Sequence, residues 1–313
     1  MNYKIIHKTE YSYTYPVNLC YNEARLTPRH HIYQQCNDSQ FVVQPEPKEC
    51  RERRDFFGNT VYYFTIQQPH NQLIVTVTSR VEVKDRELQL NFVDGKASRQ
   101  PSGCRDLPFT FNSAEHLSWE AAHQALHTDS SPEIREMRQY LLNSPMIPAM
   151  PELHAYAEKS FTTRRPLLEA VKDLSTRLYT DFTYDPDFTT VATPLGDVIK
   201  HRRGVCQDFA HLGIGCLRAL GFAARYVSGY IQTEPPPGKE PLSGADASHA
   251  WFSVYLPQLG WVDFDPTNNQ MPTDRHITVA WGRDYADVTP LKGVVFGSGT
   301  HRLSVSVDCK RVF

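Results

Sequence analysis

Between Tyr3 and about Asn91 apolar and polar positions alternate in short runs: "YKIIHKTEYSYTY", "QFVVQP", "TVYYFTIQ" and "QLIVTVTSRVEV". Period-two alternation broken by Pro, Asn, Gly and Asp clusters predicts strands with one buried face, and so an all-β, sandwich-like domain over residues 1–105. In "DFFGNTVYYF" the Gly58-Asn59 step can supply positive φ, which predicts a turn leading into an aromatic strand. Residues 92–110 mix Gly, Ser, Pro and charge without any period and read as a linker.

The period then changes. Residues 106–160 form a connecting segment of short helical stretches, because the prolines of "NSPMIPAMPEL" forbid one continuous helix. After Pro166, Leu167, Leu168, Val171, Leu174 and Leu178 recur on one side of a helical wheel and predict a core-facing helix. Thr193-Pro194 predicts a short helix running toward Lys200. Gly204 resets the chain. A further helix should begin at Cys206, bury Phe209, Leu212, Cys216, Leu217 and Leu220, and end at Gly221. "FAARYVSGYI", "HAWFSVYL", "GWVDFD" and "HRLSVSVDCKRV" read as strands, with a long polar loop between the first two. Residues 161–313 are therefore expected to form an α+β core.

Composition narrows the partners. A net charge of -2 over 313 residues provides no general attraction to nucleic acid or to an anionic membrane. The opening "MNYKIIHKTEYSYTYP" contains no uninterrupted apolar run, and no later stretch approaches the length of a bilayer span, which predicts a cytoplasmic protein. The 7 cysteines are odd in number and contain no C-x-x-C pair, so neither a disulfide framework nor a zinc ribbon is expected. The spacing of His30, His31, Cys36 and Cys50 fits no tetrahedral metal pattern. No metal and no organic cofactor is assigned.

The stretch that carries chemistry is "RRGVCQDFAHLGIGCLRALG". A thiol attacks an amide carbonyl as thiolate, and a cysteine in the first turn of a helix has the positive end of the helix dipole to favour that charge. Cys206 holds this position, whereas Cys216 falls on the apolar side of the same helix. An imidazole partner is also needed, and His249, at the start of a strand after a polar loop, is the candidate. Asp265 closes the next strand and can orient that ring. In a hairpin register that faces His249 with Thr267, Asp265 lies two residues away on the same face, whereas a one-residue slip separates them. Asp263 competes for the orienting role. His211, five residues after Cys206, does not share its helix face.

Together "RRGVCQDFAHLGIGCLRALGFAARYVSGY", "GADASHAWFSVYL" and "GWVDFDPTNN" resemble the transglutaminase-like superfamily core, whose Cys-His-Asp triad falls in this order. The N-terminal strands and "GRDYADVTPLKGVVF" resemble the β-domain and C-terminal stretch of its bacterial members, which are assigned as cysteine proteases. The resemblance implies a papain-like α+β fold and a triad of Cys206, His249 and Asp265. It implies acyl-thioester chemistry on a peptide or other amide substrate, with water as acceptor in a peptidase or amidase and an amine in a transglutaminase. A catalytically idle scaffold is the reading from another class. No amide side chain precedes Cys206 to receive the oxyanion, which leaves the Cys206 N–H and the side chain of Gln207 as candidates.

Overall fold

The computed structural model describes residues 1–84, 117–233, 247–257 and 259–312. The 92–110 linker and Cys104 lie outside the described residues. Two compact units emerge, one made of Met1–Asp85, Val227–Ala250 and Asp274–Phe313, the other of Arg86–Tyr226 and Trp251–Thr273.

The first unit contains the sandwich. Its strands are β1 (Asn2–Val17), β2 (Leu19–Ala24), β3 (Gln34–Gln44), β4 (Glu49–Arg54), β5 (Thr60–Ile66) and β6 (His70–Val83). From the far end of the chain come β13 (Leu291–Phe296) and β14 (His301–Val312). One sheet has the order β14-β1-β6-β3 and the other β13-β2-β5-β4. Alternation decides what goes between them. Tyr3, Ile5, His7 and Thr9 of β1 are buried, as are Leu73, Val75, Val77, Ser79, Val81 and Val83 of β6. Val43, Leu73, Val75 and Val77 of one sheet share a core with Cys20, Ala24, Phe64, Ile66 and Leu291 of the other, which is face-to-face packing of two apolar surfaces. Gly58 takes φ +74° in the expected turn.

Within the second unit the helices are α1 (Trp119–Thr128), α2 (Pro132–Met137), α3 (Pro151–Ala157), α4 (Leu167–Asp181), α5 (Leu195–His201) and α6 (Cys206–Ala219). The short pair β7 (Thr183–Tyr184) and β8 (Arg203–Gly204) runs parallel. Leu167, Val171, Leu174 and Leu178 of α4 are all buried, as their period requires. Another sheet has the order β11-β10-β9-β12, from β9 (Ala224–Ile231), β10 (Ala247–Leu256), β11 (Gly260–Phe264) and β12 (His276–Gly282). Strands and helices thus segregate along the chain in an α+β fold. Among the described residues no helix is long and apolar enough to cross a membrane.

His7 is a polar residue inside the first unit. Its Nε2 is hydrogen-bonded to the Thr9 hydroxyl at 2.9 Å and its Nδ1 to the Tyr230 hydroxyl at 3.0 Å. Burial lowers its pKa from the ordinary 6.5 to about 4, because the charged ring would lose its hydration. The unfolded chain therefore binds a proton that the folded chain refuses, and stability falls as pH drops from 6.5 towards 4. We expect a loss on the order of 3 kcal/mol across that window. Urea denaturation of the parent and of His7→Gln, compared at pH values on either side, should show the difference only in the parent.

Candidate active site

Cys206 is the first residue of α6 and is half-buried. Val205 before it is extended, with φ −114° and ψ −177°, and carries no capping side chain. The helix start is instead held by Asp208, whose Oδ2 accepts the Val205 N–H at 2.8 Å and the Thr189 hydroxyl at 2.8 Å. A Cβ at Gly204 would stand 2.7 Å from that same oxygen, so glycine is the residue that admits the carboxylate. Burial raises the Asp208 pKa, while the bonds from Val205 and Thr189 lower it; burial prevails.

The rest of the helix is anchored by packing. A Cβ at Gly213 would lie 2.6 Å from the Phe252 ring and one at Gly215 2.8 Å from Leu153, which shows how closely α6 is approached by β10 and α3. At its far end buried Arg218 donates to the Tyr140 carbonyl at 3.0 Å, the Ser144 hydroxyl at 3.0 Å and the Ala224 carbonyl at 2.9 Å. Cys216 is fully buried, and burial pushes its thiol up to about 12. Burial likewise raises the thiols of Cys20, Cys36 and Cys50. His211 is buried with its ring 5.1 Å from that of Tyr226, a packing position.

Loop 185–194 wraps the cysteine end of α6. Tyr184 pairs with Gly204, and the Asp185 N–H donates to the Gly204 carbonyl at 2.9 Å. Asp185 forms an ion pair with Arg203, whose guanidinium lies over the Phe188 ring at 5.0 Å. Gln207 donates from Nε2 to the Val191 carbonyl at 3.5 Å, so its amide is turned toward the loop. Tyr184 is 54% exposed and packs edge-on against Phe209 at 6.4 Å. Its pKa is raised by burial first and then by the nearby charges of Cys206 and Asp208. No sequence signal marked Tyr184, because its approach to Cys206 depends on the parallel pairing of β7 with β8.

Asp265 is fully buried just after β11. Its Oδ1 accepts the N–H of Thr267 at 3.0 Å and of Asn268 at 3.3 Å, and its Oδ2 accepts the Asn268 side-chain amide at 2.7 Å. The turn is tied to α4 by a Thr176 hydroxyl bond to Asn269 Oδ1 at 2.9 Å. The competing acid, Asp263, accepts from Trp251 Nε1 at 3.2 Å and from the Ser253 hydroxyl. The strands β10 and β11 pair Phe252 with Phe264 and Ser253 with Asp263. Trp251 is fully buried, and Trp261 packs on Tyr140 and Tyr255 beneath Arg225; both serve packing.

His249 lies in the first unit, near the start of β10, and is 7% exposed. Its ring is 6.1 Å from that of His276, a fully buried residue that opens β12 and that the sequence reading passed over. Within the first unit the donor types available to a metal are the imidazoles of His249 and His276, both buried.

Residues 3–82 match the bacterial transglutaminase-like N-terminal region, and residues 154–266 match the transglutaminase-like superfamily. The chain belongs to the transglutaminase-like superfamily. An uncharacterized protein of Mycobacterium tuberculosis is 40% identical over 98% of the chain and 91% of its own length, and one of Mycobacterium leprae is 31% identical over 99% and 98%. A protein-glutamine gamma-glutamyltransferase of Pseudomonas aeruginosa is 38% identical over 23% of the chain and 11% of its own length. In fold, this superfamily member is similar to a crystal structure from Cytophaga hutchinsonii described as that of a proposed cysteine protease. That likeness has a TM-score of 0.70 and 21% identity, and covers 100% of the chain and 92% of that protein. The papain-like core and the N-terminal β-region are thus both present.

Asp208 gives the testable consequence. Its folded pKa is raised, so the folded state holds the proton longer than the unfolded chain, and this group's contribution to stability falls as pH rises past the ordinary 3.8. Asp208→Asn should keep an acceptor for Val205 and flatten that contribution in pH-dependent denaturation. Asp208→Ala should cost about 1–3 kcal/mol, because it strands the Val205 N–H and the Thr189 hydroxyl.

Proposed function

We propose that this protein is a cysteine-dependent acyl-transfer enzyme acting on peptide or other amide bonds, with Cys206 as nucleophile, His249 as general base and acid, and Asp265 orienting His249. Membership of the transglutaminase-like superfamily supports cysteine-based catalysis in general. The observation that carries the assignment is the placement of half-buried Cys206 as the first residue of an α-helix whose N-cap residue, Val205, offers no capping side chain. A negative sulfur there is favoured by the helix dipole.

The β10–β11 register supports the orienting acid. Its last pair, Phe252 with Phe264, puts Asp265 one residue beyond the ladder, at the mouth of the turn that it closes by pairing with Gln270. Asp263 is occupied by Trp251 and Ser253, which leaves Asp265 as the orienting acid.

In the reaction His249 takes the Cys206 thiol proton, and Sγ bonds to the carbonyl carbon as the C=O electron pair moves onto oxygen. Collapse breaks the C–N bond, the leaving amine takes a proton from His249, and a thioester remains. His249 then removes a proton from water as the water oxygen bonds to the thioester carbon, the C–S bond breaks, and the proton returns from His249 to sulfur, so that the carboxylic product leaves with the thiol restored. Hydrolysis is the preferred outcome because a part-exposed sulfur leaves the thioester open to water. An amine acceptor in place of water would give transglutamination with the same residues.

The oxyanion is received by the Cys206 N–H with one side chain beside it. Gln207 is the donor read from the chain, and Tyr184 offers a phenol O–H next to the same helix start. Removing the working donor should lower kcat by about 10²–10³. Comparing Gln207→Ala with Tyr184→Phe identifies it, and an unchanged kcat in both would leave the backbone alone.

Iodoacetamide labelling at mildly acidic pH, read by peptide mass spectrometry, tests the triad. Cys206 should be alkylated ahead of the other cysteines, and His249→Ala should abolish the preference; equal reactivity would favour an idle scaffold. The same instrument assigns the acceptor. Peptides incubated with a primary amine should be cleaved or deamidated, whereas stable amine incorporation would mark a transglutaminase.

A further inference from the structure

Strands β13 and β14 are the outer strands of the two sandwich sheets, so among the described residues each has one edge with no strand paired to it. A long free edge is an adhesive surface, and folded proteins blunt it with proline, bulges, short strands or central charges. β14 has none of these. It pairs with β1 from Tyr13↔His301 through Asn2↔Val312 without a bulge, and contains no proline. Its centre, Leu303-Ser304-Val305-Ser306-Val307, has no charge. Apolar side chains of the edge strand face water: Leu303 is 50% exposed and Val305 47%.

We propose that β14 pairs antiparallel with β14 of a second copy of this chain, about a two-fold axis at Val305, so that the sheet β3-β6-β1-β14 continues across the dimer. The sequence of the edge is self-complementary about that point. Residues facing one another across a sheet must share a face, which limits the axis to a residue rather than a gap between residues. An axis at Val305 sets Val305 against itself, Leu303 against Val307, Ser304 against Ser306 and Arg302 against Asp308. By symmetry the Arg-Asp pair occurs twice, and both pairs are of opposite charge. An axis at Ser306 would set Arg302 against Lys310 in both pairs. Charge therefore favours the axis at Val305, which gives two opposite-charge pairs, and the second copy supplies backbone partners and apolar cover for the edge.

Sedimentation equilibrium on the full chain tests this, with far-UV circular dichroism to verify that each variant is folded. The parent should have twice the chain mass at micromolar concentration. Arg302→Asp places two acids opposite each other in both pairs and should weaken association by at least about tenfold. The exchanged variant Arg302→Asp/Asp308→Arg should restore it. A monomeric parent overturns the proposal, as does a dimer indifferent to Arg302→Asp or a double variant that fails to recover. Amide exchange over 301–309 adds an independent readout. It should slow as concentration rises, and protection that is independent of concentration would mean that another part of the same chain covers the edge.

Discussion

The pairing of β10 with β11 fixes what the candidate site can be. Phe252 faces Phe264, and their rings stack at 5.7 Å with an interplanar angle of 17°. Side chains alternate with period two, so this one buried contact decides the face of every other residue in the hairpin. Ser253 and Asp263 then share a face, and Asp265 follows one residue beyond the last pair. The two acids are separated by what they bind. Asp263 is occupied by Trp251 and Ser253, whereas Asp265 sits in a turn whose backbone N–H groups hold one of its oxygens. A slip of one residue would turn Asp263 away from Trp251 and Ser253 and unstack the phenylalanines, so packing energy enforces this register.

A second constraint lies at the start of α6. The Val205 N–H is bound by a buried carboxylate rather than by a capping side chain from position 205 itself. Burying Asp208 costs free energy, which its raised pKa expresses, and the bonds from Val205 and Thr189 offset part of that cost. The gain is positional. Loop 185–194, β8 and the first turn of α6 become one hydrogen-bonded unit, and a side chain at the first helical position is held by backbone on both sides.

Sequence alone reached what depends on local pattern. The stripe after Pro166 became Leu167–Asp181, the break at Gly204 was followed by a helix from Cys206, and the Gly58-Asn59 step turned where a positive φ was expected. These features are set by neighbours within a few residues. Tyr184 and His276 escaped notice for the opposite reason. Tyr184 reaches the helix start through a parallel pair with Gly204, and His276 meets His249 from a strand that begins far along the chain. Nothing in the composition of "FTYDP" or "DRHITVA" reports such partners. Trp251 and Trp261, ambiguous as sequence, were resolved into packing only by burial and ring contacts.

The same distinction explains the sandwich. Its N-terminal strands alternate clearly enough to be read one by one, but the two sheets are each completed by a strand from the opposite end of the chain, β14 on β1 and β13 on β2. Leu291 of β13 enters the core shared by Phe64, Ile66 and Val75. Alternation tells a strand which face to bury, not which edge to join, so a linear division of the chain misses this closure. Pairing residues 2–13 with 301–312 also closes a very long loop, an entropic cost that only native long-range contacts repay. The N-terminal strands therefore attain their full sheets only when the C-terminal strands β13 and β14 are present.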